Sequence, residues 1–141
     1  MKFVVIAVGK QKSRELRAIA DDYLSRLRRY VACDEREVQA AADLSGAIPN
    51  GAFSVALEVR GEALTSPELA ARLERWSSRD KGIVAFLIGG ADGIPKDVSE
   101  SAGARISLSS LTLPHRLARI VLLEQLYRSM TILRGEPYAR E

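Results

Sequence analysis

Short, continuous runs of apolar residues alternate along the chain with segments in which apolar residues recur every three or four positions. Three runs, at residues 3–8, 53–59 and 83–88, have the length and continuity of strands that are buried on both faces of a sheet. Weaker patterns predict short strands at residues 34–38 and 105–108. Strands that alternate with helices in this way predict an α/β fold, with a mostly parallel sheet and helices on both faces.

The helical segments have recognisable starts. Leucine and other apolar residues at three- and four-residue steps follow Ser13, and Thr65 precedes a proline and a glutamate that favour a first helical turn. The Ala-rich segment 39–51 predicts a loop with one turn of helix. The expected helices cover residues 13–30, about 65–77, 96–102 and 115–133.

The last expected helix is apolar around most of its circumference, whereas a helix at a protein surface shows one apolar stripe. Two explanations fit this pattern: the helix is covered by a second subunit, or it lies at the centre of a single chain. The pattern therefore points to a homodimer while leaving the second explanation open. The apolar positions are Leu117, Ile120, Val121, Leu122, Leu123, Leu126, Tyr127, Met130, Ile132 and Leu133.

Length and composition restrict the class of protein. With 141 residues, 47% of them hydrophobic and 28% charged, the chain fits one globular domain over residues 1–141. No apolar run approaches the roughly 18 residues of a membrane helix, and the N-terminus has no signal-peptide pattern. We therefore expect a cytoplasmic protein without a membrane partner. A single cysteine, Cys33, and a single histidine, His115, exclude an internal disulfide and a multi-histidine metal site, so no metal is expected.

The charge balance is mildly basic. The chain has 21 basic and 18 acidic residues, and 16 of the basic residues are arginine. Arginine makes planar, bidentate contacts with phosphate, so this composition fits a nucleic-acid partner. A GC-rich genome explains the same excess of arginine over lysine.

A glycine-rich turn, GGADG at residues 89–93, follows the third buried strand. Open α/β sheets bind ligands at the carboxyl ends of their strands, so the turn is a candidate binding site. Its spacing does not match the glycine patterns of dinucleotide or nucleoside-triphosphate sites. From its shape alone, either a ligand site or a simple tight turn is possible.

A hydroxyl-rich loop, SLSSLTLPH at residues 107–115, leads into the last helix. Ser109 or Ser110 beside His115 would suit a serine hydrolase, but the chain lacks the G-x-S-x-G turn that exposes such a nucleophile. The alternative is that these hydroxyls cap the helix ahead of Pro114.

Taken together in their order, several segments resemble the small SPOUT-class methyltransferases, subfamily H, that modify N3 of a pseudouridine in 23S ribosomal RNA. The similarity extends over the whole chain. The segments are VIAVGK (5–10), ALEVRGE (56–62), LIGGADG (87–93), SLSSLTLPH (107–115), RIVLLEQLYR (119–128) and GEPY (135–138).

This resemblance implies an α/β fold with a C-terminal trefoil knot, a homodimer, and S-adenosylmethionine bound in the knotted region. It also implies which residues hold that cofactor, a ligand without phosphates for which uncharged walls and backbone groups suffice. The implied cofactor residues are Leu57, Gly89, Gly90, Leu108, Ser109, Ser110, Leu111, Thr112 and Leu113.

On the substrate side the resemblance implies catalytic roles for Glu124, Arg128 and Tyr138. Glu124 is also the candidate proton acceptor if it is buried, and otherwise water takes the proton. The family tail usually contains Pro-Tyr-His, but Ala139 stands at the histidine position here, so no role of that histidine applies. The expected contacts with ribosomal RNA are made by His115, Arg116, Arg119 and Arg140.

The sequence therefore predicts a methyltransferase of large-subunit ribosomal RNA. The alternative is a non-catalytic RNA- or ribosome-binding protein that keeps the same fold, and the altered tail is the feature that supports it. Binding of S-adenosylmethionine by the purified protein distinguishes the two.

Overall fold

The computed structural model describes residues 1–139, and Arg140 lies outside the described residues. Two short 3-10 turns, at Ala41–Asp43 and Pro137–Ala139, accompany ten helices and strands. In chain order these are β1 Lys2–Val8, α1 Arg14–Leu27, β2 Ala32–Val38, α2 Leu44–Ala47, β3 Phe53–Ala63, α3 Ser66–Ser77, β4 Ile83–Ile88, α4 Lys96–Ser101, β5 Ala104–Ser107 and α5 His115–Leu133.

Within the described residues the strands form one five-stranded sheet in the order β2-β1-β4-β3-β5. Each neighbouring pair is parallel, so all five strands end at the same edge. This arrangement confirms the predicted α/β class. It also brings the loops after β3, β4 and β5 to one edge of the sheet, where a ligand can contact all three.

Helices cover both faces of the sheet, as the continuous apolar strands predict. Phe3, Val5 and Ala7 of β1 join a core with α1, α3 and α5, while Val4 and Ile6 point to the other face, where α2 and α4 pack. Successive side chains of a strand alternate between its faces, so β1 contributes to both cores. None of the helices in residues 1–139 is long and apolar enough to cross a membrane.

The helix starts that the sequence predicts are present. The Ser13 hydroxyl accepts a hydrogen bond from the Leu16 backbone N–H at 3.2 Å. At the start of α3, Thr65 Oγ1 accepts from the Glu68 N–H at 3.2 Å, and Glu68 Oε1 accepts from the Thr65 N–H at 3.1 Å. These reciprocal bonds form a capping box, and the hydrogen bond that the Thr65 N–H donates to the carboxylate holds the pKa of Glu68 below its usual value.

β3 is longer than its apolar pattern indicates. The pattern ends at Val59, but the strand continues to Ala63 because its second part pairs again with β5 after a shift in register between Leu57 and Glu62. Gly61 allows this close approach, since a Cβ at that position would lie 2.5 Å from the Ile106 carbonyl carbon. The expected trefoil knot stays a prediction.

Helix α5 packs between α1 and α3 on one face of the sheet. Leu122, Leu123 and Leu126 are fully buried there, whereas Leu117 remains 39% exposed. Packing within one chain therefore accounts for much of the apolar circumference of this helix, as the single-chain explanation proposes. The homodimer stays a prediction.

Candidate functional site

Two adjoining cavities open at the carboxyl ends of β4 and β5, beside the middle of β3. The first, of about 80 Å³, lies between the middle of β3 and the loop after β5. The second, of about 970 Å³, lies between the same part of β3, the glycine turn after β4 and the end of the segment before α5. Both are lined by Leu57, Glu58, Val59 and Leu113. We call the two together the strand-end cleft.

Seven of the nine predicted cofactor residues line the strand-end cleft. Leu108, Ser109 and Leu111 line the first cavity, Gly90 and Thr112 line the second, and Leu57 and Leu113 line both. Gly89 and Ser110 line neither cavity. The structure therefore brings together residues from three separate segments of the chain, as the resemblance implies.

Gly89 shapes the turn after β4 rather than lining the cleft. A Cβ at this position would lie 2.4 Å from the carbonyl carbon of Gly93, closer than real atoms approach. The turn closes with a hydrogen bond from the Gly93 N–H to the Gly90 carbonyl, at 3.0 Å. Glycine is needed at position 89 because the returning backbone passes directly over it.

Hydroxyl groups organise the loop between β5 and α5. Ser107 Oγ donates to the Ser109 carbonyl at 2.8 Å, and Ser109 Oγ accepts from the Leu111 N–H at 2.9 Å. The serines thus stabilise the loop itself rather than capping α5, whose first residue follows Pro114 without a side-chain cap. His115 lines a different cavity from Ser109, so the geometry gives no support to a serine hydrolase.

The first cavity has an almost uncharged lining, in which Glu58 is the single ionisable residue. Four leucines and two serines contribute to its walls. Four of its residues, Glu58, Val59, Ser107 and Ala118, are absent from the predicted site. The first three belong to the ALEVRGE and SLSSLTLPH segments, so their position next to predicted residues is the signal that could have identified them.

Glu124, Arg128 and Tyr138 form one compact cluster. The Tyr138 hydroxyl donates to Glu124 Oε2 at 2.9 Å, and Arg128 Nε donates to the same oxygen at 3.0 Å. The Arg128 guanidinium also lies 5.1 Å from the centre of the Tyr138 ring. Burial and the hydrogen bond to Glu124 raise the pKa of Tyr138 to about 12. The cluster holds the C-terminal turn against α5.

A hydrogen-bonded chain connects this cluster to the start of α3. Gln125 Nε2 donates to Glu124 Oε1 at 2.9 Å, and Gln125 Oε1 accepts from the Ser66 hydroxyl at 2.6 Å. Both carboxylate oxygens of Glu124 therefore accept hydrogen bonds already. In this structure Glu124 thus holds Tyr138 and Arg128 in place, and its expected role as proton acceptor stays a prediction.

The cluster and the strand-end cleft are separate within one chain. None of Glu124, Arg128 and Tyr138 lines either cavity. Ala118 of α5 lines the first cavity, and Glu124 lies six residues further along the helix, roughly 9 Å at 1.5 Å per residue. A site that uses both groups of residues needs either a movement of the tail or a second chain.

Of the residues expected to contact RNA, His115 and Arg116 are exposed at the start of α5, where they line a small cavity with Lys10 and Gln11. Arg116 also ties this region together, because its carbonyl accepts a hydrogen bond from Gln11 Nε2 at 3.2 Å. These positions suit contact with a large ligand.

Arg119 is buried, unlike His115 and Arg116, so the expected contact between Arg119 and RNA is corrected. Its side chain is 5% exposed and makes ion pairs with Glu35 at 2.9 Å and with Glu37 at 2.8 Å. Glu35 also accepts from Arg17 at 2.5 Å. Burial alone would raise the pKa of Glu37, but the Gln11 N–H and the Arg119 guanidinium hold that pKa below its usual value. Arg119 therefore fixes α5 to β2.

In residues 1–139, no group of His, Cys, Asp and Glu side chains is arranged to hold a metal ion. Cys33 is buried in β2, and this burial raises the pKa of its thiol to about 12. A thiol with so high a pKa is protonated at neutral pH and is a poor nucleophile or ligand.

The fold is that of an α/β protein with a parallel sheet, and its cleft opens where open α/β sheets bind ligands. A family profile described as "Predicted SPOUT methyltransferase" matches residues 1–139. The chain belongs to the SPOUT methyltransferase family. The resemblance seen in its motifs is thereby confirmed.

Relatives in sequence cover the whole chain. A protein of Sorangium cellulosum named Ribosomal RNA large subunit methyltransferase H is 60% identical, over 99% of each chain. A protein of the same name from Acetivibrio thermocellus is 39% identical, over 99% of this chain and 100% of its own.

Solved structures share the fold at low sequence identity. A probable methylase family protein from Haemophilus influenzae Rd KW20 has a TM-score of 0.63 at 9% identity, covering 99% of this chain and 70% of its own. A probable rRNA-methyltransferase from Porphyromonas gingivalis has a TM-score of 0.58 at 15% identity, covering 94% and 70%. These similarities support the α/β assignment.

Proposed function

We propose that this chain is an S-adenosylmethionine-dependent methyltransferase that modifies N3 of a pseudouridine in large-subunit ribosomal RNA, in the cytoplasm. The observation that carries the proposal is the strand-end cleft, whose lining joins Leu57, Gly90 and the 108–113 loop. The names of the relatives supply the class of substrate.

The lining of the cleft fits S-adenosylmethionine. The ligand has no phosphates, and the first cavity offers leucine walls and loop backbone groups for an adenine ring. Its sulfonium and amino groups are cationic, and Glu58 and Asp92 are carboxylates on the walls of the two cavities. When bound, the cofactor supplies a methyl group that its sulfonium sulfur activates.

The chain's own residues then have to orient the two reactants and exclude water. The 108–113 loop, stiffened by Ser107 and Ser109, forms a wall that is already organised before binding. Preorganised geometry of this kind supplies much of the rate in a direct displacement. N3 of the base must also lose its proton, and with Glu124 occupied by hydrogen bonds, water is the proposed acceptor.

We further propose that the active site is composite, with the tail of one subunit completing the strand-end cleft of another. The separation between the Tyr138 cluster and the cleft within one chain supports this arrangement. Tyr138 offers a ring that can stack on an unpaired base, which is worth about 1–3 kcal/mol. The exposed His115 and Arg116 at the start of α5 extend the surface available to RNA.

The cofactor assignment predicts that Gly90→Arg weakens binding of S-adenosylmethionine at least ~10-fold, or ~1.4 kcal/mol. Gly90 lines the larger cavity, and a side chain there meets Val8 Cγ1 at 3.1 Å and must fill adjacent space. Titration calorimetry measures the affinity. Gly46→Arg is the control, because Gly46 lies in α2 with open space around it.

The outcomes test the proposed function and the location of the cofactor site separately. If the wild-type protein does not bind S-adenosylmethionine, the proposed function is rejected. If a folded Gly90→Arg variant binds with wild-type affinity, the cleft is not the cofactor site. The reaction itself is tested by mapping methylated pseudouridine in the large-subunit RNA of cells that lack this protein. The modification is expected to be absent from that RNA.

The composite site predicts a homodimer in solution. Leu111 and Leu117 are 74% and 39% exposed in one chain, and their burial against a twin removes apolar area worth about 25 cal/mol per Å². Light scattering at micromolar concentration is expected to give twice the 15.4 kDa of a single chain. A monomeric mass under these conditions contradicts the dimer and, with it, the composite site.

A further inference from the structure

Another cavity lies away from the strand-end cleft, beside the edge strand β5. It has a volume of about 490 Å³ and is formed by α3 and the turn after it, both ends of β3 and the start of β5. We call it the arginine groove. Its charged and aromatic lining consists of Phe53, Glu62, Arg72, Arg75, Arg79 and Arg105.

The arginine groove carries a net positive charge, with four guanidinium groups against one carboxylate among its lining residues. Arg72 is paired with Glu62 through two hydrogen bonds, at 2.9 and 2.6 Å, and this contact lowers the pKa of Glu62. In the part of the chain that the structure describes, the ion pairs include none made by Arg75, Arg79 or Arg105. Three positive charges are therefore available to a ligand.

Two of the arginines are held in place by neutral partners. Arg105 donates to the carbonyl oxygens of Ser99 and Ala102, at 2.7 and 3.2 Å. The Arg79 guanidinium lies 5.1 Å from the centre of the Phe53 ring, which itself stacks on Trp76 with the ring centres 5.5 Å apart. These contacts orient the cations without neutralising them, so less side-chain entropy is lost when an anion binds.

The positive charges come from several parts of the groove. Arg72 and Arg75 lie one turn apart on α3, Arg79 follows the end of this helix at Ser77, and Arg105 lies on β5. Guanidinium groups distributed in this way can contact successive phosphates of a nucleic-acid backbone, each in bidentate fashion.

The arginine groove is also close enough to the cleft to serve the same RNA. Phe53 lies at the start of β3 and Leu57 lines the strand-end cleft, so the two sites are separated by roughly 13 Å along this strand at 3.3 Å per residue. We infer that the arginine groove binds the phosphate backbone of the substrate RNA next to the target nucleotide. This inference rests on the proposed function.

The test removes two of the available charges. Arg75→Gln with Arg79→Gln is compared with Arg29→Gln with Lys96→Gln, which removes the same charge from exposed positions outside the groove. Affinity for a large-subunit RNA transcript is measured over a range of salt concentrations. Loss of two phosphate contacts is expected to weaken binding on the order of 10-fold and to make the salt dependence shallower by about 1.4 in slope.

Methylation kinetics provide the second readout. The groove variant is expected to raise the KM for RNA with little change in kcat or in the affinity for S-adenosylmethionine, and the control pair leaves all three unchanged. Equal RNA binding by the groove and control variants overturns the inference. Weaker binding to intact ribosomal subunits alone, with normal binding to naked RNA, also overturns it and indicates a protein partner.

The same measurements keep this inference distinct from the proposed function. If the wild-type protein binds no S-adenosylmethionine and methylates no RNA, the proposed function fails whatever the groove does. If the wild-type protein is active and the groove variant matches its control, only the groove inference fails. Thermal unfolding of both variants confirms that they are folded.

Discussion

A chain that ends at Glu136 is expected to lose methylation of large-subunit RNA, by at least ~100-fold, while it still binds S-adenosylmethionine and still forms a dimer. The reason is that Glu124, Arg128 and Tyr138 lie outside the strand-end cleft of their own chain, so the lining of the cleft stays complete after truncation. A methyl-transfer assay on large subunits, with calorimetry for the cofactor, measures both effects.

Tyr138→Phe is the conservative companion to this truncation. It keeps the ring, which packs 4.5 Å from Tyr127, and removes only the hydroxyl that donates to Glu124. If stacking on a base is the main role of Tyr138, this variant retains most of the activity that the truncated chain loses. A truncated chain that methylates at the normal rate contradicts the composite site and points to Arg116 as a contact that needs no tail.

Arg119→Met is expected to destabilise the fold by about 3 kcal/mol, the low end of the range for breaking a buried ion pair. The substitution removes the partner of Glu37 and one of two partners of Glu35, while Arg17 still neutralises Glu35. Chemical denaturation measures the change. Arg116→Met, at an exposed position on the same helix, is expected to change stability by less than about 0.5 kcal/mol.

The pH dependence of the stability lost in Arg119→Met tests whether the ion pair with Glu37 accounts for that loss. The pKa of Glu37 is lowered in the folded chain, so its contribution is fully present above its unfolded pKa of about 4.3 and is lost as the pH falls through the folded value. The difference in the free energy of unfolding between wild type and Arg119→Met therefore becomes smaller in acid. A gap that stays constant down to pH 3 would show that lost packing, rather than charge, accounts for the destabilisation.

Helix α5 shows how much of the fold can be predicted from local pattern. Its predicted limits, 115–133, agree with the structure because Pro114 precedes a dense apolar repeat. The end of β3 cannot be predicted from the local pattern of apolar residues. Residues 60–63 are charged or small and have no strand pattern, and they are extended because β5 pairs with them a second time. Such long-range pairing leaves no local signal.

In the candidate site too, some residues can be predicted from the sequence and others cannot. The resemblance to the SPOUT family implies seven residues that line the cleft, whereas the glycine and hydroxyl patterns alone leave a tight turn and helix capping open. The burial of Arg119 cannot be predicted from the sequence, since an arginine on a helix is usually exposed and its partner Glu35 is 84 positions away. The arginine groove was missed for the same reason: α3 and Arg105 are brought together only by the folded sheet.

The position of β2 at one edge of the sheet has a consequence for solubility. An edge strand exposes unpaired backbone groups that can template pairing with a neighbouring molecule and start aggregation. In β2 the run from Asp34 to Glu37 consists of charged side chains, and Arg36 and Glu37 are exposed. Charged side chains disfavour such pairing because an incoming strand would remove them from water. This edge of the sheet therefore tolerates few apolar substitutions, because they would favour aggregation.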